Sequence, residues 1–317
     1  MGWVVPGGSS GGEGVSRPTR TPRVTIALPV YNGADTVALV IESVLGQSCT
    51  DLELVISDNA STDGTDEICR HFARADERVV YQRHGTNVGL LNNFISAAEK
   101  ATGTHLRWIG DDDSLEPGYV TRALEVFDED ERRVVVTTQI AYRDAEGVET
   151  LDTDYDPAAL SSADPIERFA EMLRLLTSGF ALLDPLYSMM RRELAVLPRR
   201  NMLREDEIFA ARLALAGPWG HVPAPLAHRH RSQVPTSELV GLLGVPSWHR
   251  HAMDVLMCQD LLDWIARSSL DPALRRRARV EVLRMYARRK RNKVRRGVAK
   301  LERLAGRPAR LSPSGAR

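Results

Sequence analysis

The feature that most constrains this chain is an alternation of apolar and amphipathic segments in its first third. Three runs rich in Val, Ile and Leu begin at Val24, Leu52 and Val79, and segments with helical spacing of apolar residues separate them. Strands that alternate with helices pair in parallel through right-handed crossovers. The pattern therefore predicts an α/β fold with a mostly parallel central sheet flanked by helices.

Polar residues follow the predicted strands. Tyr31 and Asn32 come after the first strand, Asp58 and Asn59 after the second, and the aspartates 111–113 after a later one. Ligands of such sheets bind beyond the carboxyl ends of the strands. We therefore expect these side chains to meet in one crevice.

The run Asp111-Asp112-Asp113, closed by Pro117-Gly118, is the main chemical signal in the chain. Three adjacent carboxylates repel one another, which raises the pKa of at least one of them. One interpretation is a solvated acidic loop. The other is a site for a hard divalent cation, Mg²⁺ or Mn²⁺, held by one or two carboxylates and completed by nucleotide phosphates.

The middle of the chain predicts further strands and helices. We expect a strand over 133–138, a loop or lid beside the site over 144–164, a helix over 165–177 and a return to the sheet over 184–190.

A second acidic run, Glu205-Asp206-Glu207, begins a segment with helical spacing that ends near 216. Acids in a first helical turn are favoured by the helix dipole, which accounts for Glu205 and Glu207 without chemistry. A short strand over 221–226 follows and ends in His228-Arg229-His230, where one histidine is a candidate ligand for phosphate or metal.

Composition limits the class of protein. The chain has 317 residues, 43% of them hydrophobic, which suits one main domain with an appendage. No apolar run reaches the roughly 20 residues that a membrane-spanning helix needs. Cys49, Cys69 and Cys258 form no CxxC pair, so we expect free thiols in a reducing cytoplasm and neither disulfides nor a zinc site.

The formal net charge of zero hides an asymmetry. Residues 275–310 hold sixteen Lys and Arg against Glu281 and Glu302, a net charge of +14, so the remainder carries −14. Helical spacing from Trp248 onward, with a helix start at Asp271-Pro272, makes this end a basic helix. It suits either an anionic membrane face or packing against the acidic body, and its few aromatic residues argue against nucleic acid.

Five motifs stand in one order, namely 25–32 (TIALPVYN), 58–65 (DNASTDGT), 87–89 (NVG), 111–113 (DDD) and 205–206 (ED). In that order, over about residues 22 to 235, the chain resembles the family 2 glycosyltransferases of GT-A fold. The resemblance implies an inverting transfer of a sugar from a nucleotide-diphosphate-sugar, UDP- or dTDP-linked, to an acceptor hydroxyl, with Mn²⁺ or Mg²⁺ as cofactor.

The resemblance also implies residue roles on the donor side. The nucleotide would be bound by Pro29, Tyr31, Asn32, Asp58, Asn87, Asp111 and Asp112. Of these, Asp58 would bond the base, whereas Asp111 and Asp112 would lie against ribose and metal. Ser61 and Asp63 need no such role, because Asx and Ser turns explain them.

For the reaction itself, Asp206 matches the general base of the family. Asp112 matches the metal ligand with Asp113 adjacent, and His230, or else His228, matches a residue at the metal or diphosphate. The first acid of the family's usual motif falls on Gly110. That departure leaves open which neighbour, if any, joins Asp112 on the ion.

These inferences predict four regions, namely a disordered tail over 1–22, a GT-A nucleotide-sugar-binding and catalytic domain over 23–235, a helical region over 236–306 and a disordered tail over 307–317. The acceptor, a small molecule or a lipid-linked glycan, has no signature. A cytoplasmic enzyme, peripheral at the inner membrane face, is expected.

Other classes fit the residues less well or differently. A dehydrogenase would carry Gly-x-Gly-x-x-Gly after its first strand, and 29–33 is not that motif. The alternative that stays open is a noncatalytic protein of the same fold that binds an anionic membrane surface or nucleic acid through its basic helix.

Overall fold

The structure is a computed structural model, which describes residues 21–144, 146–151, 158–178, 185–230 and 234–304, without the side chains of 300 and 302–304. Apart from 21 and 22, both predicted disordered tails lie outside the described residues.

The strands are β1 (Val24–Val30), β2 (Leu52–Asp58), β3 (Val79–Arg83), β4 (His105–Trp108), β5 (Ser114–Leu115), β6 (Val135–Arg143), β7 (Glu149–Leu151), β8 (Met189–Arg191) and β9 (Trp219–His230). In the described residues they form one sheet of order β3-β2-β1-β4-β8-β6-β9-β5, with β7 paired to β6. Strands β3, β2, β1 and β4 are parallel, and β8 is antiparallel to β4 and β6. The predicted α/β fold with a mostly parallel central sheet is confirmed.

The helices are α1 (Val37–Leu45), α2 (Thr65–Ala75), α3 (Leu90–Lys100), α4 (Tyr119–Glu129), α5 (Pro165–Ser178), α6 (Arg192–Ala195), α7 (Glu205–Ala216), α8 (Thr236–Leu242), α9 (His249–Arg267) and α10 (Pro272–Leu304). A 3₁₀ turn, Pro185–Tyr187, precedes β8. Strands β1 and β2 are buried along their whole length because helices cover the sheet, as a parallel sheet requires.

The predicted lid differs from the structure at both described ends. Near its start, β7 pairs with β6 as a hairpin whose turn is held by Asp144 Oδ1, which accepts a hydrogen bond from Val148 N at 2.8 Å. Near its end, Leu160 is fully buried and its carbonyl oxygen accepts a hydrogen bond from Trp219 N at 2.9 Å. This end therefore packs on the core and does not cover a site. Residues 152–157 lie outside the described residues.

Strand β9 is also longer than the strand predicted over 221–226. It pairs in parallel with β6, and its register shifts between Thr138 and Ile140, which pair with Val222 and Ala227. Prolines 223 and 225 lie inside this irregular stretch, where a missing backbone N–H is tolerated. The shift lets β9 continue to His230.

The C-terminal helices pack on the face formed by α5 and α7. Ala278, Val282 and Met285 of α10 share a buried apolar cluster with Phe169 of α5 and Ile208 of α7. The predicted boundary at residue 235 stays a prediction. Within the described residues, no helix combines the length and the apolar character needed to span a bilayer.

Candidate active site

The loops after β1 and β2 are tied together by hydrogen bonds. Asn32 N donates to Ser61 Oγ at 2.9 Å, and Thr62 N donates to Asn32 Oδ1 at 2.9 Å. Asn32 has a left-handed backbone with φ of 55°, which asparagine tolerates better than most residues. Its backbone N–H and side chain therefore hold the second loop. The tip of the first loop is solvent-facing, since Tyr31 is 48% exposed.

Ser61 and Asp63 hold the loops, as predicted. Asp63 Oδ2 accepts a hydrogen bond from Ala34 N at 3.0 Å, and its Oδ1 accepts one from Thr65 Oγ1 at 2.6 Å. These bonds lower the pKa of Asp63, with the Thr65 hydroxyl as the largest cause.

Asp58, at the end of β2, is fully buried. Its Oδ1 accepts a hydrogen bond from Ser61 N at 2.8 Å, and its Oδ2 accepts one from Tyr81 Oη at 2.8 Å and lies 3.3 Å from Arg83 Nε. Burial, followed by this contact with Asp58, raises the pKa of Tyr81. Tyr81 and Arg83 therefore fix the carboxylate at the floor of the crevice, and the motif that contains Asp58 gave no sign of them.

Asn87 lies beside the same crevice. Asn59 Nδ2 donates to Asn87 Oδ1 at 3.0 Å, and Val88 N donates to Asn59 Oδ1 at 2.8 Å. The loop before α3 is thereby fastened to the loop after β2. Pro29 is buried within β1.

The three aspartates of the acid loop, 111–113, have different surroundings. Asp113 is buried, and its Oδ2 accepts hydrogen bonds from Gly110 N at 3.1 Å and from Arg229 Nε at 3.0 Å. Its Oδ1 is buried and has no hydrogen-bond partner within the described ranges. Asp112 is exposed and Asp111 is half-buried. One of the three carboxylates is thus structural, and two face the crevice.

The charge of the acid loop is only partly compensated. Burial, and then the neighbouring Asp112, raise the pKa of Asp111 to about 6. Burial and Asp113 also raise the pKa of Asp112, against the opposing effect of His230 and Arg229. Repulsion between neighbouring carboxylates contributes to both shifts, and a nearby positive charge would relieve that contribution.

Two glycines allow this arrangement. A Cβ at Gly110 would lie 2.9 Å from Asp113 Oδ2, so no larger residue fits there while Asp113 keeps its position. A Cβ at Gly33 would lie 3.0 Å from Asp111 Oδ2, which places the loop after β1 directly against the acid loop. The predicted convergence of these strand ends is confirmed. The close approach of Asp113 explains why Gly110 occupies the position where the resemblance would place an acid.

Three residues at the end of β9 contact the acid loop or Glu116, which follows it closely. His228 bonds Glu116 through Nε2 at 2.7 Å, and His230 Nδ1 lies 2.9 Å from the carbonyl oxygen of Asp112. Because a carbonyl only accepts, Nδ1 of His230 must carry the proton of this bond. Arg229 points to the other side of the strand, towards Asp113.

Arg229 and Tyr187 were not predicted as site residues. The guanidinium of Arg229 lies 3.6 Å from the centroid of the Tyr187 ring. Burial, and then the charges of residues 113, 112 and 111, raise the pKa of Tyr187. Side chains alternate between the two faces of a strand, so Arg229 projects from the face opposite to that of His228 and His230. This alternation could have been read from the sequence.

The head of α7 holds the second acidic run in a network of arginines. Glu205 Oε1 accepts a hydrogen bond from Arg199 Nε at 2.6 Å. Glu207 is bonded by Arg204 and by Arg289 of α10. These pairs, in addition to the helix dipole, account for Glu205 and Glu207.

Asp206 differs from both neighbours. It is exposed, and its carboxylate has no hydrogen bond or ion pair to any residue that the structure describes. It lines a pocket of about 280 Å³ together with Tyr187. Tyr187 therefore lines the same pocket as Asp206 and also contacts Arg229, which bonds Asp113.

The predicted site residues form two groups. The donor-side loops and the acid loop, with His230, are joined by the contacts above, and Asp206 is connected to them through the Tyr187 pocket. Within the described ranges, no group of three or more His, Cys, Asp or Glu side chains is placed to hold a metal ion by itself. The individual roles of these residues stay predictions.

Known proteins share this architecture. A family model described as Glycosyl transferase family 2 matches residues 25–196, more than half of the chain. Chondroitin synthase of Escherichia coli is 33% identical over 129 residues, which are 40% of this chain and 18% of that protein. In the curated relatives that match first, the matched part is 18% to 60% of the relative's own length.

Solved structures show the same fold. S. aureus TarS 1-349 in complex with UDP-GlcNAc has a TM-score of 0.59 at 15% identity, covering 83% of this chain and 72% of that one. The mannosyltransferase PcManGT from Pyrobaculum calidifontis, in complex with GDP-Man and Mn²⁺, has a TM-score of 0.50 at 18% identity, covering 86% and 74%.

The mostly parallel sheet flanked by helices is thus similar in fold to the GT-A glycosyltransferase structures. The family match makes the class specific: the chain belongs to glycosyl transferase family 2.

Proposed function

We propose that this chain transfers a sugar from a UDP- or dTDP-sugar to an acceptor hydroxyl with inversion, and that Asp206 is the general base. The observation that carries the proposal is the difference within the head of α7. Arginines bind Glu205 and Glu207, whereas Asp206 has no partner among the described residues and lines a pocket with Tyr187. A solvent-facing carboxylate without a partner can accept the proton of an acceptor hydroxyl.

The donor would lie along the loops after β1 and β2 and over the acid loop. UDP-GlcNAc bound to TarS supports a uridine nucleotide, although TarS shares only the fold with this chain. We assign Pro29, Tyr31, Asn32 and Asn87 to the nucleotide pocket. Asp58 would bond the base from the crevice floor, where Tyr81 and Arg83 orient its carboxylate.

The acid loop suits a divalent cation, Mn²⁺ or Mg²⁺, because its donors are hard carboxylate oxygens and Asp113 Oδ1 lacks a partner. Asp112 would be the main ligand, with Asp113 and His230 as further candidates. His230 fits because its Nδ1 donates to Asp112, which leaves Nε2 as the acceptor nitrogen of the neutral ring. When bound, the ion would stabilise the charge of the departing diphosphate.

In the transfer itself, the Asp206 carboxylate removes the hydroxyl proton while the acceptor oxygen attacks the anomeric carbon and the bond to the diphosphate breaks. The arginines on Glu205 and Glu207 keep the first turn of α7 in place during this step. Asp111 and Asp112 orient the ribose and diphosphate end of the donor.

Nucleotide binding tests the proposal. Thermal unfolding of the full chain would be followed with UDP, dTDP or GDP, each with Mn²⁺, with Mg²⁺ or with EDTA. A ligand that binds only the folded state raises the midpoint in proportion to the logarithm of its concentration over Kd. We expect a cation-dependent shift with UDP or dTDP and slow hydrolysis of the matching nucleotide sugar. A noncatalytic protein would hydrolyse none of the sugars, and the absence of any cation-dependent shift would contradict the proposal.

A second observation favours peripheral contact with an anionic membrane surface at the cytoplasmic face. On the far part of α10, Val294, Val298 and Leu301 are 65%, 49% and 67% exposed, and they share one face at helical spacing. Arginines and lysines, among them 291, 293, 295 and 296, occupy most of the other positions in this part of the helix. An apolar stripe within a cationic helix suits the interface of anionic lipid.

Flotation with vesicles of anionic phospholipid at low salt tests this contact. Serine at 294, 298 and 301 keeps the charge and removes the stripe, and should lower the bound fraction severalfold. Serine at Val148 and Leu151, which are exposed elsewhere, is the matched control. Failure of the unmodified chain to float with the vesicles would contradict membrane contact.

A further inference from the structure

The pocket beside Asp206 has walls that the proposed donor site does not use. It is lined by the first turns of α3, by the 3₁₀ turn before β8, by residues 199–206 and by α8. Nine of the thirteen described residues that line it are apolar or aromatic, so this part of its surface is that of a hydrophobic binding site. We propose that it binds the acceptor, and that the part of the acceptor next to the reacting hydroxyl is an aromatic or compact alkyl group.

This inference rests on the proposed function, since it takes Asp206 as the base. The floor of the pocket is fixed by the core, because Leu91, Met202 and Leu203 are all buried. Leu239 of α8 and Leu243, four residues further along the chain, also line the pocket. Apolar side chains from the core and from the region of α8 thus line the same pocket.

The charged residues at the pocket leave little for a sugar to bond. Arg199 is paired with Glu205, and Arg204 with Glu207, so Asp206 is the one charged lining group without a partner among the described residues. A sugar in this pocket would lose water from several hydroxyls with few bonds in return, and each such loss costs about 1 to 3 kcal/mol. A single hydroxyl on an apolar body loses nothing of this kind, because Asp206 accepts its proton.

The size of the pocket limits the apolar body. Its volume of about 280 Å³ is to be compared with the roughly 150 Å³ of a cavity that takes up benzene. One ring or two fused rings would therefore fit. Phe94 and Tyr187 meet edge to face, with ring centroids 6.2 Å apart, and offer aromatic surface at one wall.

The pocket also adjoins the donor side. Tyr187 is one of its walls, and the guanidinium of Arg229, which bonds Asp113 of the acid loop, lies 3.6 Å from the centroid of the Tyr187 ring. A hydroxyl held at Asp206 would therefore lie in a pocket that shares Tyr187 with the surroundings of the loop that we assign to the diphosphate. This adjacency makes the pocket an acceptor site and not a remote cavity.

Binding of 2-naphthol, a fluorescent aromatic alcohol, tests the inference on the full chain. We expect saturable binding that Leu239→Lys weakens at least about tenfold, because a lysine would put a charge into the apolar wall. Leu242→Lys is the matched control: Leu242 is on the same helix, is 47% exposed and does not line the pocket. It should change the affinity less than about twofold. Leu243→Gln is the second pocket variant, should Leu239→Lys unfold.

The outcomes separate this inference from the proposed function when the nucleotide shift with Mn²⁺ is measured on the same samples. A chain with the nucleotide shift but without saturable naphthol binding, or with equal loss in Leu239→Lys and Leu242→Lys, contradicts this inference alone. So does a chain that glycosylates methyl β-glucoside faster than 2-naphthol. A chain that binds naphthol but shows no cation-dependent nucleotide shift contradicts the proposed function and the acceptor role with it.

Discussion

The two acidic runs of this protein, 111–113 and 205–207, are equal in length and differ in how their charge is compensated. Among the described residues, one arginine, Arg229, is bonded to the carboxylates of the acid loop, and it binds the buried Asp113. In the same part of the chain, three arginines bind two glutamates at the head of α7. Within the described ranges, the first run therefore has an excess of negative charge, whereas the second has one carboxylate without a partner, that of Asp206.

The comparison teaches that the number of acids in a motif does not tell which acid is available. An excess of negative charge with raised carboxyl pKa values suits a cation. A lone carboxylate on a helix held by ion pairs suits proton transfer. The following predictions test this division, first where the expected effect is largest.

Asp206→Asn should lower the rate of transfer at least about a hundredfold, because an amide cannot take the acceptor proton and general-base catalysis contributes roughly 10² to 10⁴. Cation-dependent nucleotide binding should be unchanged. Glu238→Gln, an exposed acid on nearby α8, should keep the rate within about twofold. Transfer at the normal rate by Asp206→Asn would show that the base is elsewhere.

Arg229→Met should lower the free energy of unfolding by about 3 to 5 kcal/mol, because it leaves the buried Asp113 carboxylate without its ion-pair partner. Urea unfolding measures this loss. The double variant with Asp113→Asn should recover part of it, since the amide carries no charge. A double variant that is no more stable than Arg229→Met would contradict the role given to the pair.

Asp112→Ala should weaken cation-dependent nucleotide binding about a hundredfold or more, beyond the roughly 10- to 100-fold that the loss of an outer-shell partner costs. Titration of the nucleotide with and without Mn²⁺ measures it. Glu125→Ala, an exposed acid on α4, is the control. Unchanged affinity in Asp112→Ala would remove this residue as the main ligand.

Arg289→Met should lower the free energy of unfolding by about 2 to 3 kcal/mol, somewhat less than for a fully buried pair because Glu207 is partly exposed. Arg284→Met on the same helix removes an arginine that is 66% exposed, and should cost less than about 1 kcal/mol. Cation-dependent nucleotide binding should survive in both variants. Equal costs would mean that α10 does not support the head of α7.

The smallest expected effect is the pH dependence of that cost. Burial raises the pKa of Glu207, while Arg289 lowers it, so loss of Arg289 would raise the pKa further above the unfolded value of 4.5. A carboxyl with a raised folded pKa favours the folded state below its unfolded pKa, and this stability is lost as pH rises through the folded pKa. The cost of Arg289→Met should therefore shrink by about 1 kcal/mol between pH 7.5 and 5.5. A cost that grows on acidification would contradict it.

Much of the fold followed from local patterns. The β1, β2 and β4 runs and their polar ends are readable because period and polarity depend on neighbouring residues only. The convergence of Gly33 on Asp111 followed from the parallel topology. Leu160 lies in the segment predicted as a loop or lid, and its burial could not be read from that segment because it packs with Trp219, almost sixty positions away in the sequence.

The sequence pointed to the acids of the candidate site and gave no indication of the arginines that bind them. Asp112 and Asp206 stand in recognisable motifs, whereas Arg83, Arg229 and Arg289 acquire their partners only through tertiary contacts. The sequence around each arginine does not show which acid it will pair with. Which of them neutralises a given acid depends on the side of a strand or helix from which it projects.

The register shift between β6 and β9 decides which side that is for Arg229. From Val222 to Ala227 the chain advances five positions while β6 advances two, from Thr138 to Ile140, so β9 has three residues in excess. An odd excess reverses the alternation of every later side chain. Removal of one residue from 223–226 would turn a histidine towards Asp113 and point the arginine at solvent. Whether the acid loop has an arginine beside Asp113 thus depends on whether the number of extra residues in this proline-containing stretch of β9 is odd or even.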